Sequence, residues 1–480
     1  LITGYVQQGQ DVEALNCFTQ MQHDNIFPDV ITYINMLKAC GSTMEINMGR
    51  ELHSEIISKS LLKKDISLGT ALVDMYAKCG ELTKANQVFD ELPFRNIVSW
   101  NALISGYAQH GQGERALHCF EQMQHDLCSP DAITFLGVLK ACGSKGAVDK
   151  GIQIHDEILN KGLLKNDVDL GNALIDMYAK CGDLAKAQEL LESLHLRNIV
   201  SWNALISRYT EEGQYYEAFS CLERMKSEGI SPNGVTFICI LKSCGGIRDI
   251  ERGEEIHDDI KKRGMLKNDV VLGTALIDMY AKCGFVEKAR DILRELPSRN
   301  EISFNILMAG YIQQGQCDEA LSCFKWMQSE GISPSISTFI CILKACAGTD
   351  SMDKGEQIHN EILDSILIER DPRLGTTLVD MYAKCGILSK AQEVLEQLPI
   401  QDVVSWNALI AGYSLQGQGY EALNCFESMQ IKGISPNEVT FLGVLNACCH
   451  SGLSNKAEQI LMHMIKKYME LSLTWSIILV

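Results

Sequence analysis

One eight-residue stretch recurs along this chain at a constant spacing of 102 residues. It reads VDMYAKCG or IDMYAKCG, and its four copies occupy 73–80, 175–182, 277–284 and 379–386. A fixed period on this scale indicates a repeat architecture, in which each unit packs on its sequence neighbours. Because such an array grows in one dimension, the 480 residues need not be divided among several globular domains.

Each period divides into three units of 35, 36 and 31 residues. In the unit 97–131, one apolar stripe precedes Gly111 and a second stripe, at i, i+3, i+4 and i+7 spacing, begins at Ala116. The other two kinds of unit repeat this arrangement, which predicts one αα-hairpin per unit. The predicted fold class is therefore all-α, a right-handed α-solenoid (superhelix) of stacked helix-turn-helix hairpins, with the first helices on its inner face.

Proline positions support the unit boundaries, because none of the nine prolines falls inside a predicted helix. The chain is then a single repeat array over residues 1–480. Its units are 1–29 (partial), 30–65, 66–96, 97–131, 132–167, 168–198, 199–233, 234–269, 270–300, 301–335, 336–371, 372–402, 403–437, 438–473 and 474–480 (partial). A chain that opens and closes within a repeat is expected to be a piece of a longer protein.

The placement of the 19 cysteines favours their interpretation as buried thiols over disulfides or zinc ligands. Fourteen of them occupy three repeated positions on predicted helix faces, and the sequence contains no CxxC. No apolar run reaches the roughly 18 to 20 residues of a membrane span. We therefore expect core thiols in a reducing compartment and no membrane partner.

Three copies of H-x-E, at 53–55, 155–157 and 359–361, match part of a zinc deaminase signature. The fourth copy, at 257–259, reads HDD, and no P-C-x-x-C supplies the remaining ligands. We interpret these histidines as packed or helix-capping residues. The chain is accordingly predicted to carry no catalytic residue, no metal site and no cofactor.

Segments such as IVSWNALISGYAQHGQGERALHCFEQM (97–123) and LGNALIDMYAKCGDLAKAQEL (170–190) resemble pentatricopeptide repeats. The 35/36/31 alternation resembles the P, L and S units of the plant-type PLS subclass, and the resemblance covers the whole chain. The alternative is a tetratricopeptide array, a protein-interaction scaffold whose 34-residue unit carries a W-x2-L-G-x2-Y pattern. The pentatricopeptide resemblance implies that one hairpin binds one base of single-stranded RNA.

The resemblance further implies that the fifth and the last residue of each 35- or 31-residue unit meet the Watson–Crick edge of the base. The pairs are Thr70 with Asn96, Asn101 with Asp131, Asn172 with Asn198, Asn203 with Asn233, Thr274 with Asn300, Asn305 with Ser335, Thr376 with Asp402, and Asn407 with Asn437. In that order they are expected to read adenine, uracil, cytosine, cytosine, adenine, a pyrimidine, guanine and cytosine.

The 36-residue units carry an aliphatic residue at the fifth place, which cannot hydrogen-bond a base edge. These residues, interpreted as spacers, are Ile34, Leu136, Ile238, Ile340 and Leu442. With the amino end of the protein toward the 5′ end of the RNA, the predicted target is 5′-A-U-n-C-C-n-A-Y-n-G-C-3′. A repeated cap or interhelix hydrogen bond is the alternative role for the asparagines. The variation between Asn and Thr, and among Asn, Asp and Ser, favours base reading.

The resemblance also implies that the second residue of the 35-residue units packs on the base face, although an aliphatic there could equally belong to the core between repeats. These residues are Val98, Val200, Ile302 and Val404. The formal net charge of −18 is unusual for a nucleic-acid binder, so the charge must be segregated. The predicted phosphate contacts, with a solvated face as the alternative, are Lys78, Lys180, Lys282 and Lys384.

The segment ACCHSGL (447–453) resembles the terminal L-type unit that precedes the carboxy-terminal extension of this subclass. The implied function is sequence-specific binding of single-stranded RNA, not DNA, as the site-recognition part of an organellar C-to-U editing factor in a mitochondrion or plastid. A deaminase is expected downstream in the full-length protein or in trans, and not within these residues. The alternatives are an RNA stabilisation or processing factor without editing, and a tetratricopeptide-like scaffold.

Overall fold

The computed structural model describes residues 1–63, 65–165, 167–267, 269–349, 351–364 and 371–465. These residues form α-helices and three short 3-10 helices, and none of the described residues is in a β-strand. The chain forms two compact units, Leu1–Ile240 and Leu241–Val480. The repeat expected to open at 474, and the end of the repeat 438–473, lie outside the described residues.

The helices alternate between the first and the second helix of successive hairpins. The first helices are Ile2–Gln7, Val30–Thr43, Ile66–Lys78, Ile97–Gln109, Ala132–Lys145, Val168–Lys180, Ile199–Glu211, Gly234–Ile247, Val270–Lys282, Glu301–Gln313, Ile336–Thr349, Pro372–Lys384, Val403–Leu415 and Glu438–His450. The second helices are Asp11–His23, Ile46–Ser58, Leu82–Asp90, Gly113–His125, Val148–Asn160, Leu184–Ser193, Tyr215–Ser227, Ile250–Lys262, Val286–Glu295, Cys317–Ser329, Met352–Asp364, Leu388–Gln397 and Gly419–Ile431, and residues 454–465 are also helical. The 3-10 helices are Leu61–Lys63, Leu163–Lys165 and Met265–Lys267. From Val30 onward, every first helix begins at the first residue of a predicted repeat.

A side-chain cap starts the first helices of the 35- and 36-residue repeats. Asp131, the last residue of one repeat, accepts the backbone N–H of Thr134 at 2.9 Å, while the Thr134 hydroxyl accepts the backbone N–H of Asp131. This reciprocal capping box satisfies N–H groups that the first turn of a helix leaves without partners. It recurs at Asn96, Asn198, Asn300, Asp402 and Asn437.

Stacking of first helices builds the core of each compact unit. The helix Ile97–Gln109 packs against the first helices before and after it and against its own second helix, and the helix Val403–Leu415 does the same in the second compact unit. The predicted apolar stripe of Ile97–Gln109 is buried in these contacts. Close approach also explains Gly151, since a Cβ there would meet the Met177 sulfur at 2.5 Å.

The cysteines are thiols, most of them buried or half-buried in this packing. None of the 19 forms a disulfide, and only Cys449 is exposed. Burial raises the pKa of the Cys119, Cys142 and Cys221 thiols to about 12, so they stay protonated at neutral pH. In the described part of the chain, no helix combines the length and the apolar character needed to cross a bilayer.

Candidate nucleic-acid interface

The fifth and last residues of the repeat 97–131 are joined in one hydrogen-bond network. Asn101 donates through Nδ2 to Asp131 Oδ1 at 2.9 Å, and the Thr134 hydroxyl donates to Asn101 Oδ1 at 2.6 Å. Asp131 Oδ1 is also the atom that caps the next helix. The network therefore fixes both predicted reading side chains against a helix terminus.

Two further asparagine pairs form the same network. Asn203 donates to Asn233 and Asn407 to Asn437, each at 3.1 Å. A threonine of the following repeat again donates to the fifth residue at 2.7 Å in both places, the donors being Thr236 and Thr440. In a fourth pair, Asn172 Nδ2 reaches Asn198 Oδ1 at 3.4 Å, and Asn172 Oδ1 is buried without a partner in the described part of the chain.

The capping hydrogen bond uses one polar atom of the last residue and determines which other polar atom remains for a ligand. In Asp131 the cap uses Oδ1, so the atom left is Oδ2, a hydrogen-bond acceptor. In Asn233 the cap also uses Oδ1, so the atom left is Nδ2, a donor. Burial acts to raise the pKa of the Asp131 carboxyl, but hydrogen bonds from Thr134 and Asn101 outweigh it and hold that pKa below 3.8. Asp131 is therefore an anionic acceptor at neutral pH.

The threonine pairs are arranged differently. The hydroxyls of Thr274 and Thr376 donate to backbone carbonyls one turn earlier, Val270 O at 2.8 Å and Pro372 O at 3.2 Å. The Thr70 hydroxyl is buried and has no partner among the described residues. The structure thus gives no hydrogen bond between these threonines and the last residues Asn96, Asn300 and Asp402, which act as helix caps.

The pair Asn305 and Ser335 is bridged by Glu301, a residue outside the predicted base-reading positions. Glu301 accepts a hydrogen bond from Asn305 Nδ2 at 2.9 Å and another from the Ser335 hydroxyl. The available sequence signal was the residue type, since the other complete 35-residue repeats begin with an aliphatic residue, as at Ile97 and Val403.

The four predicted base-packing residues are solvent-exposed. Their exposed fractions are 58% for Val98, 54% for Val200, 61% for Ile302 and 55% for Val404. The alternative that they form core between repeats does not hold. The same second position is also exposed in 36-residue repeats that we interpreted as spacers, at Ile31, Ile133, Val235 and Val439.

A groove of about 580 Å³ in the first compact unit brings five predicted residues together. Two repeats and the start of a third line it, and its volume is in the range of about 300 to 1,000 Å³ typical of ligand sites. The predicted residues in its wall are Asn172, Lys180, Val200, Asn203 and Asn233.

The predicted phosphate lysines are all paired with a carboxylate one turn earlier. Lys78, Lys180 and Lys282 each contact an aspartate Oδ2 at 2.7 Å, and Lys384 does so at 2.8 Å. These side chains are about half exposed, and such pairs contribute only about 0 to 1 kcal/mol. A phosphate oxygen can therefore compete with the aspartate for the ammonium group.

The four histidines of the H-x-E and HDD segments pack against tyrosines. His155 Nδ1 lies 2.9 Å from the Tyr178 hydroxyl, and the same 2.9 to 3.0 Å contact joins His53, His257 and His359 to their tyrosines. Among the described residues, no group of three or more His, Cys, Asp or Glu side chains is placed to hold a metal ion. The histidines therefore belong to hairpin packing.

Acidification is expected to weaken the folded state through these histidines. Burial lowers the pKa of His53, His155, His257 and His359 below the ordinary value of 6.5. The unfolded chain thus takes up protons at a higher pH than the folded chain does, and the free energy of unfolding falls as the pH drops below about 6.5. Urea unfolding at pH 7.5 and pH 5.5 measures this difference. A variant with all four histidines replaced by glutamine is the control, and an equal pH response in both proteins would contradict the assignment.

Stacked two-helix repeats whose junctions carry paired polar side chains define a helical-repeat protein of the α-solenoid class. Sequence profiles of the PPR repeat family match 1–42, 95–144, 197–246, 299–348 and 401–450. The PPR repeat profile also matches 70–97, 172–199, 274–301 and 439–469. The chain belongs to the PPR, or pentatricopeptide, repeat family.

Proteins of Arabidopsis thaliana support this assignment. The chain is 36% identical over 453 residues to a chloroplastic pentatricopeptide repeat-containing protein, covering 94% of this chain and 56% of the relative. It is also 36% identical over 488 residues to a mitochondrial one, covering 98% of this chain and 54% of the relative. The chain thus spans a little over half the length of these two relatives.

A solved structure confirms the predicted fold class. The pentatricopeptide repeat protein PPR10, crystallised in complex with an 18-nt psaJ RNA element, superposes with a TM-score of 0.74. The alignment covers 98% of this chain and 73% of PPR10 at 20% identity. At that identity the likeness establishes the fold alone, an α-solenoid of helical hairpins.

Proposed function

We propose that this chain binds single-stranded RNA sequence-specifically and that each 35- or 31-residue repeat reads one base. The proposal rests on the different roles of the two polar atoms in the side chain of the last residue of a repeat. One of its polar atoms caps a helix, and the other, Oδ2 in Asp131 or Nδ2 in Asn233, remains for a ligand. A purely structural cap would not require this second atom to alternate between acceptor and donor.

The last residue distinguishes bases by the proton on their ring nitrogen. Uracil and guanine carry an N–H at the centre of the Watson–Crick edge, whereas cytosine and adenine carry a bare nitrogen acceptor there. The acceptor of Asp131 or Asp402 therefore suits uracil or guanine, and the donor of Asn233 or Asn300 suits cytosine or adenine. This rule agrees with every base assigned above to a repeat that ends in Asp or Asn.

The fifth residue distinguishes bases by size. The side-chain amides of Asn101 and Asn203 are held in place by hydrogen bonds to the last residue and to a threonine. Because this amide extends toward the base, the remaining space suits the smaller ring of a pyrimidine. Thr274 and Thr376 are shorter, and their hydroxyls are bonded to their own helices, which leaves room for a purine. Exposed aliphatic side chains such as Val200 and Val235, which line the groove beside Asn203, supply apolar surface for the base faces.

The biological role that we propose is recognition of C-to-U editing sites in a mitochondrion or plastid. The PLS-like alternation of repeat lengths and the segment at 447–453 support it, as do the chloroplastic and mitochondrial relatives. PPR10, which shares the fold, has been crystallised with an RNA element. Deamination itself would come from a further segment of the full-length protein or from a partner in trans.

A binding titration tests the proposed function. The purified chain is expected to bind 5′-A-U-n-C-C-n-A-Y-n-G-C-3′ at least about tenfold more tightly than a scrambled RNA of equal composition, since a good base contact is worth about 1 to 3 kcal/mol. A DNA of the same sequence is expected to bind more weakly than the RNA. Equal affinity for the target and the scrambled RNA would reject the proposal and favour a scaffold role.

A further inference from the structure

The repeat 301–335 lacks a carboxylate or amide at its last position. A carboxylate oxygen nevertheless accepts a hydrogen bond from Asn305, the asparagine predicted to read the base. Ser335 is too short to reach Asn305 as Asp131 reaches Asn101, and the two residues are instead bridged by Glu301. Glu301 Oε1 lies 2.9 Å from Asn305 Nδ2, the same distance that separates Asp131 Oδ1 from Asn101 Nδ2. The oxygen that receives the asparagine amide is thus present in both repeats, but it comes from different residues.

The first threonine after the last residue bonds the fifth residue in both repeats. The Thr338 hydroxyl donates to Asn305 Oδ1 at 2.9 Å, as the Thr134 hydroxyl donates to Asn101 Oδ1 at 2.6 Å. Ser335 keeps the capping function, since its Oγ accepts the backbone N–H of Ser337 at 3.1 Å. Ser335 and Glu301 therefore divide between them the two roles that Asp131 performs alone.

The second oxygen of Glu301 is the atom available to a ligand. The hydrogen bonds of this carboxylate within the described residues all go to Oε1, from Asn305, Ser335 and Thr338. Glu301 is also the first residue of the helix Glu301–Gln313, where the helix dipole favours a negative charge. Its Oε2 thus corresponds to Asp131 Oδ2, an anionic acceptor beside the reading asparagine.

We propose that Glu301 is a specificity-determining residue and that its carboxylate makes the repeat 301–335 select uracil over cytosine. This inference rests on the proposed RNA-binding function and sharpens it, because Asn305 with Ser335 alone predicts only a pyrimidine. Uracil offers an N–H to Glu301 Oε2, whereas cytosine would place its bare ring nitrogen against a carboxylate oxygen.

The test uses two target RNAs that differ only at the eighth base, uracil or cytosine. The wild-type chain is expected to prefer uracil there by about five- to tenfold, the lower part of the range for one base contact. Glu301→Gln keeps the length of the side chain but replaces Oε2 with an N–H donor, so the preference is expected to shift to cytosine. Equal binding of both RNAs by the wild type, or an unchanged uracil preference in Glu301→Gln, would overturn the inference.

Two controls separate this inference from the proposed function. Glu301→Ile, which restores the residue type found at Ile97, is expected to abolish discrimination at the eighth base without creating a cytosine preference, and its thermal unfolding shows whether it is folded. Asp131→Asn is tested with RNAs that differ at the second base. If Asp131→Asn changes that preference while Glu301→Gln leaves the eighth base unaffected, the proposed function stands and the role of Glu301 is rejected. If no RNA binds above a scrambled control, both are rejected.

Discussion

Replacing Asp131 with asparagine is expected to reverse the base preference of the repeat 97–131 from uracil to cytosine. The cap on Thr134 and the bond from Asn101 both use Oδ1, which asparagine retains, whereas Oδ2 is replaced by an N–H donor. Each matched or mismatched contact is worth about 1 to 3 kcal/mol, so the ratio of the two affinities is expected to change by about 25-fold or more. Fluorescence anisotropy with RNAs that carry uracil or cytosine at the second base measures this ratio.

The reciprocal substitution, Asn233→Asp, is the matched control. Asn233 occupies the same network with Asn203 and Thr236, so the aspartate is expected to turn a cytosine preference into a uracil preference. Neither change should alter thermal unfolding much, because Asn and Asp cap helices about equally well. An unchanged base preference in both variants would show that the second polar atom of the last residue, Oδ2 in Asp131 or Nδ2 in Asn233, does not contact the base.

Replacing the four exposed aliphatic residues with threonine is expected to weaken RNA binding strongly without unfolding the chain. Val98, Val200, Ile302 and Val404 are all more than half exposed, so burial under a base would be their main apolar contact. Burying the exposed part of one such side chain is worth about 1 kcal/mol, so the four together contribute about 4 kcal/mol. Threonine keeps one methyl group, and the fourfold variant should therefore lose about a hundredfold to a thousandfold in affinity. The preference between bases should remain, because the edge contacts are untouched.

A buried valine provides the comparison for this variant. Val138 has 0% exposure, and Val138→Thr places a hydroxyl in the core, which should lower the unfolding temperature. Val200→Thr, at an exposed position, should change stability by no more than about 0.5 kcal/mol. A fourfold variant that unfolds readily but binds RNA normally would mean that the four residues stabilise the repeat and do not pack on bases.

Much of the fold follows from local signals in the sequence. One local signal is an Asp or Asn followed three residues later by Ser or Thr, as in Asp131 and Thr134. This pattern indicates the start of a helix and depends on neighbouring residues alone. The first helices accordingly begin where the predicted repeats begin. The apolar spacing of each helix also indicated which side chains are buried, because the 3.6-residue period relates sequence to helix face.

Tertiary structure alone decided which side chains meet across repeats. The second residue of a repeat, such as Val200, has the apolar character of a core residue, and only the packing of successive first helices shows that nothing in the described chain covers it. The contacts from Thr134 to Asn101 and from Ser335 to Glu301 join residues 33 and 34 positions apart. A sequence pattern assigns a side chain to one face of its helix, but the stacking of hairpins determines the neighbour that this face meets. For that reason the asparagines could be named from the sequence, whereas Glu301 emerged only from the folded structure.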